Sequence, residues 1–175
     1  QNILVYSFCL VYYSLLLIVI SDDSFTHDLC ASGDSAWFFT CGKAWMNGLI
    51  PYVDFADSKG PLLWLIYGFG YLISNRDYLG VLLISSVWYS FTAYYIFKLS
   101  NLYLKNVFKS LACVVLMSVF IFGIWFHNEI RAEDYCLFFL VVSLYYIARL
   151  IENGNSILAR ELYKTSVILG LCQGV

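Results

Sequence analysis

Four stretches of this chain are apolar, nearly free of charge and close to the length of a bilayer crossing, and nothing else constrains its fold as strongly. Residues 3–20, 78–97 and 110–126 hold no Asp, Glu, Lys or Arg, and 135–151 holds only Arg149. A helix that crosses a hydrocarbon core of roughly 30 Å needs about 20 such residues. Charged residues make up 13% of the chain, against about 25% in soluble domains, so the composition belongs in a membrane. A net charge of −2 argues against a nucleic-acid surface, which needs clustered Lys and Arg. The expected fold is all-α: a polytopic membrane helix bundle with interfacial helices in its first external loop.

A fifth apolar run begins near Thr165. The chain starts at Gln1 without a methionine and stops just after the apolar run 166–171. Residues 1–175 therefore read as the N-terminal part of a larger transmembrane domain, with spans at about 3–20, 78–97, 110–126 and 135–151 and a truncated one at 165–175. The first run is too long for the hydrophobic region of a signal peptide and no basic segment precedes it, so it is expected to be a retained span. Six cysteines are scattered without zinc-like spacing. Only Cys30 and Cys41 share a loop, where an external location would permit a disulfide.

Charge orients the spans. Lys98, Lys105 and Lys109 fall in one connection, and Arg149, Arg160 and Lys164 in another, so both are expected in the cytoplasm. Residues 21–60 hold six acids against two lysines, which suits the opposite face. The apolar run 61–74 is too short to span. As a helix it rises about 21 Å, and making it cross would put the lysine-rich connection outside. It is therefore expected to lie in the interface, leaving one long external loop, 21–77, and a second at 127–134.

Within the first loop Trp37, Cys41, Ala44 and Trp45 repeat at helical spacing, the apolar stripe of a short amphipathic helix. Asp34 is expected to cap its start and Gly48 to end it, and Pro61 suits the first turn of the next helix. A carboxylate at a helix N-terminus is oriented and kept ionised, which equally fits a general base. Lys59 presents an ammonium at headgroup depth, a partner for phosphate, and Arg76 could do the same. Asp54 and Asp57 share the turn before Lys59. Glu129, Arg131, Glu133 and Asp134 form a second charged group, whose last two acids stand at the mouth of a span, where exposure to lipid is costly. Asp22, Asp23, His27 and Asp28 have no recognisable metal spacing.

These residues carry a resemblance. Asp34-Ser-Ala-Trp-Phe, Gly42-Lys-Ala-Trp-Met-Asn-Gly-Leu-Ile-Pro-Tyr-Val-Asp54 and Asp57-Ser-Lys-Gly-Pro-Leu-Leu63 resemble the first external loop of the GT-C superfamily of glycosyltransferases. The branch is the one holding protein O-mannosyltransferases and lipid A aminoarabinose transferases. Arg131-Ala-Glu-Asp134 is similar to the start of that family's second external loop and following helix. Ser35 stands where many relatives have a second acid, and Ser58 where His is common. The resemblance implies an inverting transferase in a bacterial inner membrane. It would move a sugar from a polyprenyl-phosphate donor to a hydroxyl of an acceptor glycan, lipid or protein at the external face. Asp34 would be the catalytic base and Lys59, Arg76 and Arg131 would hold the donor phosphate, with Asp54, Asp57, Glu133 and Asp134 in support. No cofactor is expected, and a divalent metal is not favoured. The rival reading, a polytopic transporter or lipid flippase, calls for ionisable groups within spans, which 3–20, 78–97 and 110–126 lack.

Overall fold

The structure, a computed structural model, describes residues 2–26, 33–122, 130–153 and 158–172. Among these residues there are seven helices and no strand: α1 (Asn2–Ile20), α2 (Gly33–Met46), α3 (Pro61–Ile73), α4 (Leu79–Leu104), α5 (Val107–Phe120), α6 (Ala132–Asn153) and α7 (Leu158–Cys172). Three of them, α1, α4 and α6, are long and apolar enough to cross a membrane. Helix α5 has 14 residues and continues through Ile121 and Phe122 in a wider turn. The rest of the expected span 110–126 lies outside the described residues.

Helix α4 is the hub, packing on α1, α3, α5 and α6. Its buried Ser86, Ser90 and Thr92 hydroxyls return to carbonyls four residues earlier in the same helix, so no polar group there needs water. Tyr13 of α1 stacks on Tyr89 at 5.9 Å, and its hydroxyl donates to the Val114 carbonyl of α5. Ser85 meets the Tyr135 hydroxyl of α6 at 2.7 Å, and Trp88 donates to the Tyr135 carbonyl.

Two expected boundaries shift for identifiable reasons. The connection 98–109 is almost wholly helical: α4 runs on through Lys98 to Leu104, and only Lys105 and Asn106 separate it from α5. The helix runs past the first lysine because Lys is a good helix former, and the Lys98 ammonium lies over the rings of Tyr94, Tyr95 and Tyr145, at 4.5 Å from the last. That arrangement keeps the cation at the helix surface without breaking the helix. Lys105, in the left-handed conformation at φ 49°, ends α4, and the Asn106 side chain accepts from Lys109 N to start α5. Helix α6 likewise begins at Ala132, so Glu133 and Asp134 belong to its first turn rather than to a loop.

Helix α3 lies across one end of the bundle. Lys59, just before it, reaches Glu133, the Tyr67 hydroxyl at its middle donates to the Ile130 carbonyl at 2.7 Å, and Asp77 and Tyr78 beyond it border a small cavity with Asp22 and Asp23. Both ends and the middle of α3 thus meet the same end of α1 and α6. Glycines permit this packing. A Cβ on Gly42 of α2 would sit 2.5 Å from Gly68 N of α3, and one on Gly80 of α4 would collide with the Gly70 carbonyl of α3.

Candidate functional site

The end of the bundle covered by α2 and α3 gathers the acids. At its centre is Asp23, 5% exposed, which follows the first span. Its Oδ2 accepts from the Ser35 hydroxyl and from the Ile130 backbone N–H, both at 2.9 Å. One carboxylate therefore ties the end of α1 to the first turn of α2 and to the segment entering α6. The next turn of α6 is closed by Asp134, 3% exposed, whose Oδ2 accepts from Arg131 N while its own N–H donates back to the Arg131 carbonyl. This is one half of a capping box, the carboxylate reaching back to the N–H that precedes the helix, and it places negative charge at the positive end of the helix dipole.

Asp34 lies in the first turn of α2, one residue inside the helix rather than capping it. It is exposed beside Ser35, whose side chain is fully buried. Asp34 thus has a fixed backbone and a side chain open to solvent. The buried face of α2 is Ser35, Phe38, Cys41 and Gly42, so of the expected stripe of Trp37, Cys41, Ala44 and Trp45 only Cys41 belongs to it, with Trp45 partly buried against the core. The phase differs because the tightest contact is made by a glycine, which a count of apolar residues passes over. Trp37 stays exposed at 44% and donates its indole N–H to Asp57 Oδ2 at 2.9 Å. Burial, assisted by the Asp57 charge, pushes the Cys41 thiol up to about 11. Burial and then the Asp23 carboxylate push the Tyr78 phenol up to about 12.

The turn between α2 and α3 accounts for two expected site residues. Asp54 Oδ2 accepts from Ile50 N at 2.7 Å, and Asp57 Oδ1 accepts from Ser58 N, so each closes its own loop. Tyr52, at φ 64°, sends its hydroxyl to the Lys59 carbonyl at 2.9 Å and packs with Phe55 on the buried Trp64. Lys59 is thereby held on a folded turn, and its ammonium meets Glu133 Oε1 at 3.0 Å. Arg131 precedes Glu133 on the same strand of chain. Arg76 stands apart, in an open cleft of about 410 Å³ formed by residues 71–77. Asp77 beside it accepts from Ser74 and Leu79 N.

The structure thus brings Lys59, Arg131, Glu133 and Asp134 to one place, sets α2 with Asp34 on the same end through Ser35 and Asp23, and leaves Arg76 at the far end of α3. Asp23 is the residue that sequence reasoning weighed only as a weak cation ligand and left out of the site. The signal was available: it sits at the end of an uncharged span, the position that marked Asp134. Among the described residues no group of three or more His, Cys, Asp or Glu could hold a metal. His27, Asp28, Cys30 and Glu129, and with Cys30 its pairing to Cys41, lie outside the described residues. No family model, curated protein or solved structure matches the chain.

Proposed function

We propose that the chain is part of a membrane-embedded inverting glycosyltransferase that takes its sugar from a polyprenyl-phosphate donor and works at the external face of a bacterial inner membrane. The observation that carries this reading is the Lys59–Glu133 ion pair. It joins the segment bearing the GT-C-like motif to the second acidic segment, 74 residues away in sequence, which supports one shared site. The opposite end of α4 and α6 holds Lys98, Lys105 and Arg149. The positive-inside rule then supports an external acidic end.

In the reaction, Asp34 takes the proton from an acceptor hydroxyl as its oxygen attacks the anomeric carbon, and the bond to the polyprenyl phosphate breaks on the opposite side of the sugar. Lys59 shifts from Glu133 to the departing phosphate, with Arg131 beside it and Arg76 further off. Fixed cations aimed at developing negative charge commonly supply the largest share of such catalysis. Glu133 keeps Lys59 oriented between turnovers. The donor's lipid tail is the reason for placing the chemistry at a membrane surface.

The test uses a defined polyprenyl-phosphate sugar and measures release of polyprenyl phosphate. Asp34→Asn abolishes release while leaving insertion and thermal unfolding unchanged, since the side chain is exposed. Lys59→Gln lowers turnover about 100-fold, the scale of losing one charge-stabilising donor. Wild-type-like release by Asp34→Asn would remove the proposal.

A further inference from the structure

The basic end of the bundle contains a second site that the transferase reading does not use. A cleft of about 360 Å³ opens there between the start of α1 and the ends of α4 and α6, with Asn2, Lys98, Asn101, Lys105, Tyr145 and Glu152 on its walls. Tyr145 lies under two cations, Lys98 at 4.5 Å and Arg149 at 5.9 Å from its ring centre. Among the described residues no carboxylate pairs with Lys98, Lys105 or Arg149; the ion pair described there is Lys59–Glu133, at the other end. Glu152 is a single acid on the cleft wall, against two cations, Lys98 and Lys105, with Arg149 standing by Tyr145. The Asn101 amide oxygen accepts from Ser110 at 3.4 Å, which leaves its NH₂ as a donor for the cleft.

We propose that this cleft binds the phosphate of an anionic phospholipid. The cations stand at the ends of two membrane-length helices, α4 and α6, where headgroups lie. Basic pockets between helix ends at that depth recognise such headgroups. The tyrosine rings fix the Lys98 ammonium in place, so it meets a phosphate without first losing side-chain freedom. The flanking surface suits acyl chains rather than water: Ile3 and Leu4 beside Asn2, Tyr103 beside Leu102, and Ile151 beside Glu152 are 81%, 76%, 66% and 77% exposed. A free phosphate ion would meet the same cations but gain nothing from that apolar rim.

The test titrates the purified full chain, in a neutral detergent, with phosphatidylglycerol and with phosphatidylcholine, and counts retained lipid by native mass spectrometry. Phosphatidylglycerol is expected to be retained in preference. Lys98→Gln and Lys105→Gln each weaken it about fivefold, the scale of one basic residue near a headgroup. Lys109→Gln, on α5 and outside the cleft, changes it less than twofold. If Lys98→Gln unfolds, Lys105→Gln decides alone, because that side chain is exposed at a helix end. Equal retention of phosphatidylcholine, or equal losses from Lys109→Gln and Lys105→Gln, would overturn the site. Displacement of the lipid by millimolar glycerol phosphate would identify a free-phosphate site instead, and would also overturn it. None of these readouts depends on sugar transfer.

Discussion

The two ends of this bundle handle charge in opposite ways. At the acidic end the buried carboxylates are bound to the protein itself: Asp23 to Ser35 and Ile130 N, Asp134 to Arg131 N. At the basic end Lys98 and Arg149 lie over tyrosine rings and Lys105 is exposed, with no carboxylate partner for any of the three among the described residues. A buried carboxylate without hydrogen bonds is costly, so the acidic end must be folded to close tolerance. A long basic side chain can bury its stem and leave its charge at the surface, so the basic end can remain open to an outside anion. The difference is the one the two proposals call for: buried carboxylates that hold the backbone around a reaction site at the acidic end, and surface cations that meet a headgroup at the basic end.

The largest expected break in that contrast comes from Gly80→Ala. The added Cβ meets the Gly70 carbonyl, which is backbone and cannot turn aside, so α3 must leave its place over the acidic end. The expected cost is about 3 kcal/mol, the upper part of the range for overpacking, read as a fall in thermal stability. Gly170→Ala, where nothing lies within 4 Å, is the matched control and leaves stability unchanged or slightly higher.

Asp23→Ala comes next. It leaves the Ile130 N–H and the Ser35 hydroxyl without their acceptor, and loss of hydrogen bonds to a charged group costs about 1.5–3 kcal/mol. The equivalent change at the basic end, Lys105→Ala, removes an exposed cation and stays within about 0.5 kcal/mol. Denaturant unfolding of the two variants in the same detergent checks the ordering, and equal losses would erase the contrast. The smallest effect belongs to Lys59 and Glu133. Their side chains are 33% and 54% exposed, so a double-mutant cycle is expected to give a coupling of about 0.5 kcal/mol. A coupling above about 2 kcal/mol would mean that the pair holds the fold together rather than standing ready for a ligand.

Much of this was legible in the sequence, and the failures share a cause. Uncharged runs located α1, α4 and α6, and Pro61 marked the first turn of α3, because covalent geometry and hydropathy act locally. Gly48, at φ 94°, stands just beyond the end of α2, as its backbone freedom suggested. The buried face of α2 was misjudged because Ser35 and Gly42 are neither bulky nor apolar, and their burial follows from partners distant in sequence. Asp23 was left out of the site because its value lies in Ile130, 107 residues away. The place of the Lys98 ammonium over Tyr145 involves another helix. Each missed feature is a tertiary contact, and only Asp23 carried a local sign of it, its place at the end of an uncharged span.

The two ends are proposed to lie on opposite faces of a membrane, and cysteine labelling tests that separation. Ser58, Asn75 and Asn106 are all exposed, the first two flanking α3 at the acidic end and the third in the turn between α4 and α5 at the basic end. Single cysteines at these positions, in a chain without its native cysteines, are offered an impermeant thiol reagent from outside intact cells. Cysteines at Ser58 and Asn75 are expected to react and the one at Asn106 to remain protected. Reaction at Asn106 with protection at Asn75 would contradict the account, because α3 would then cross the membrane and the acids of α6 would face away from Asp34.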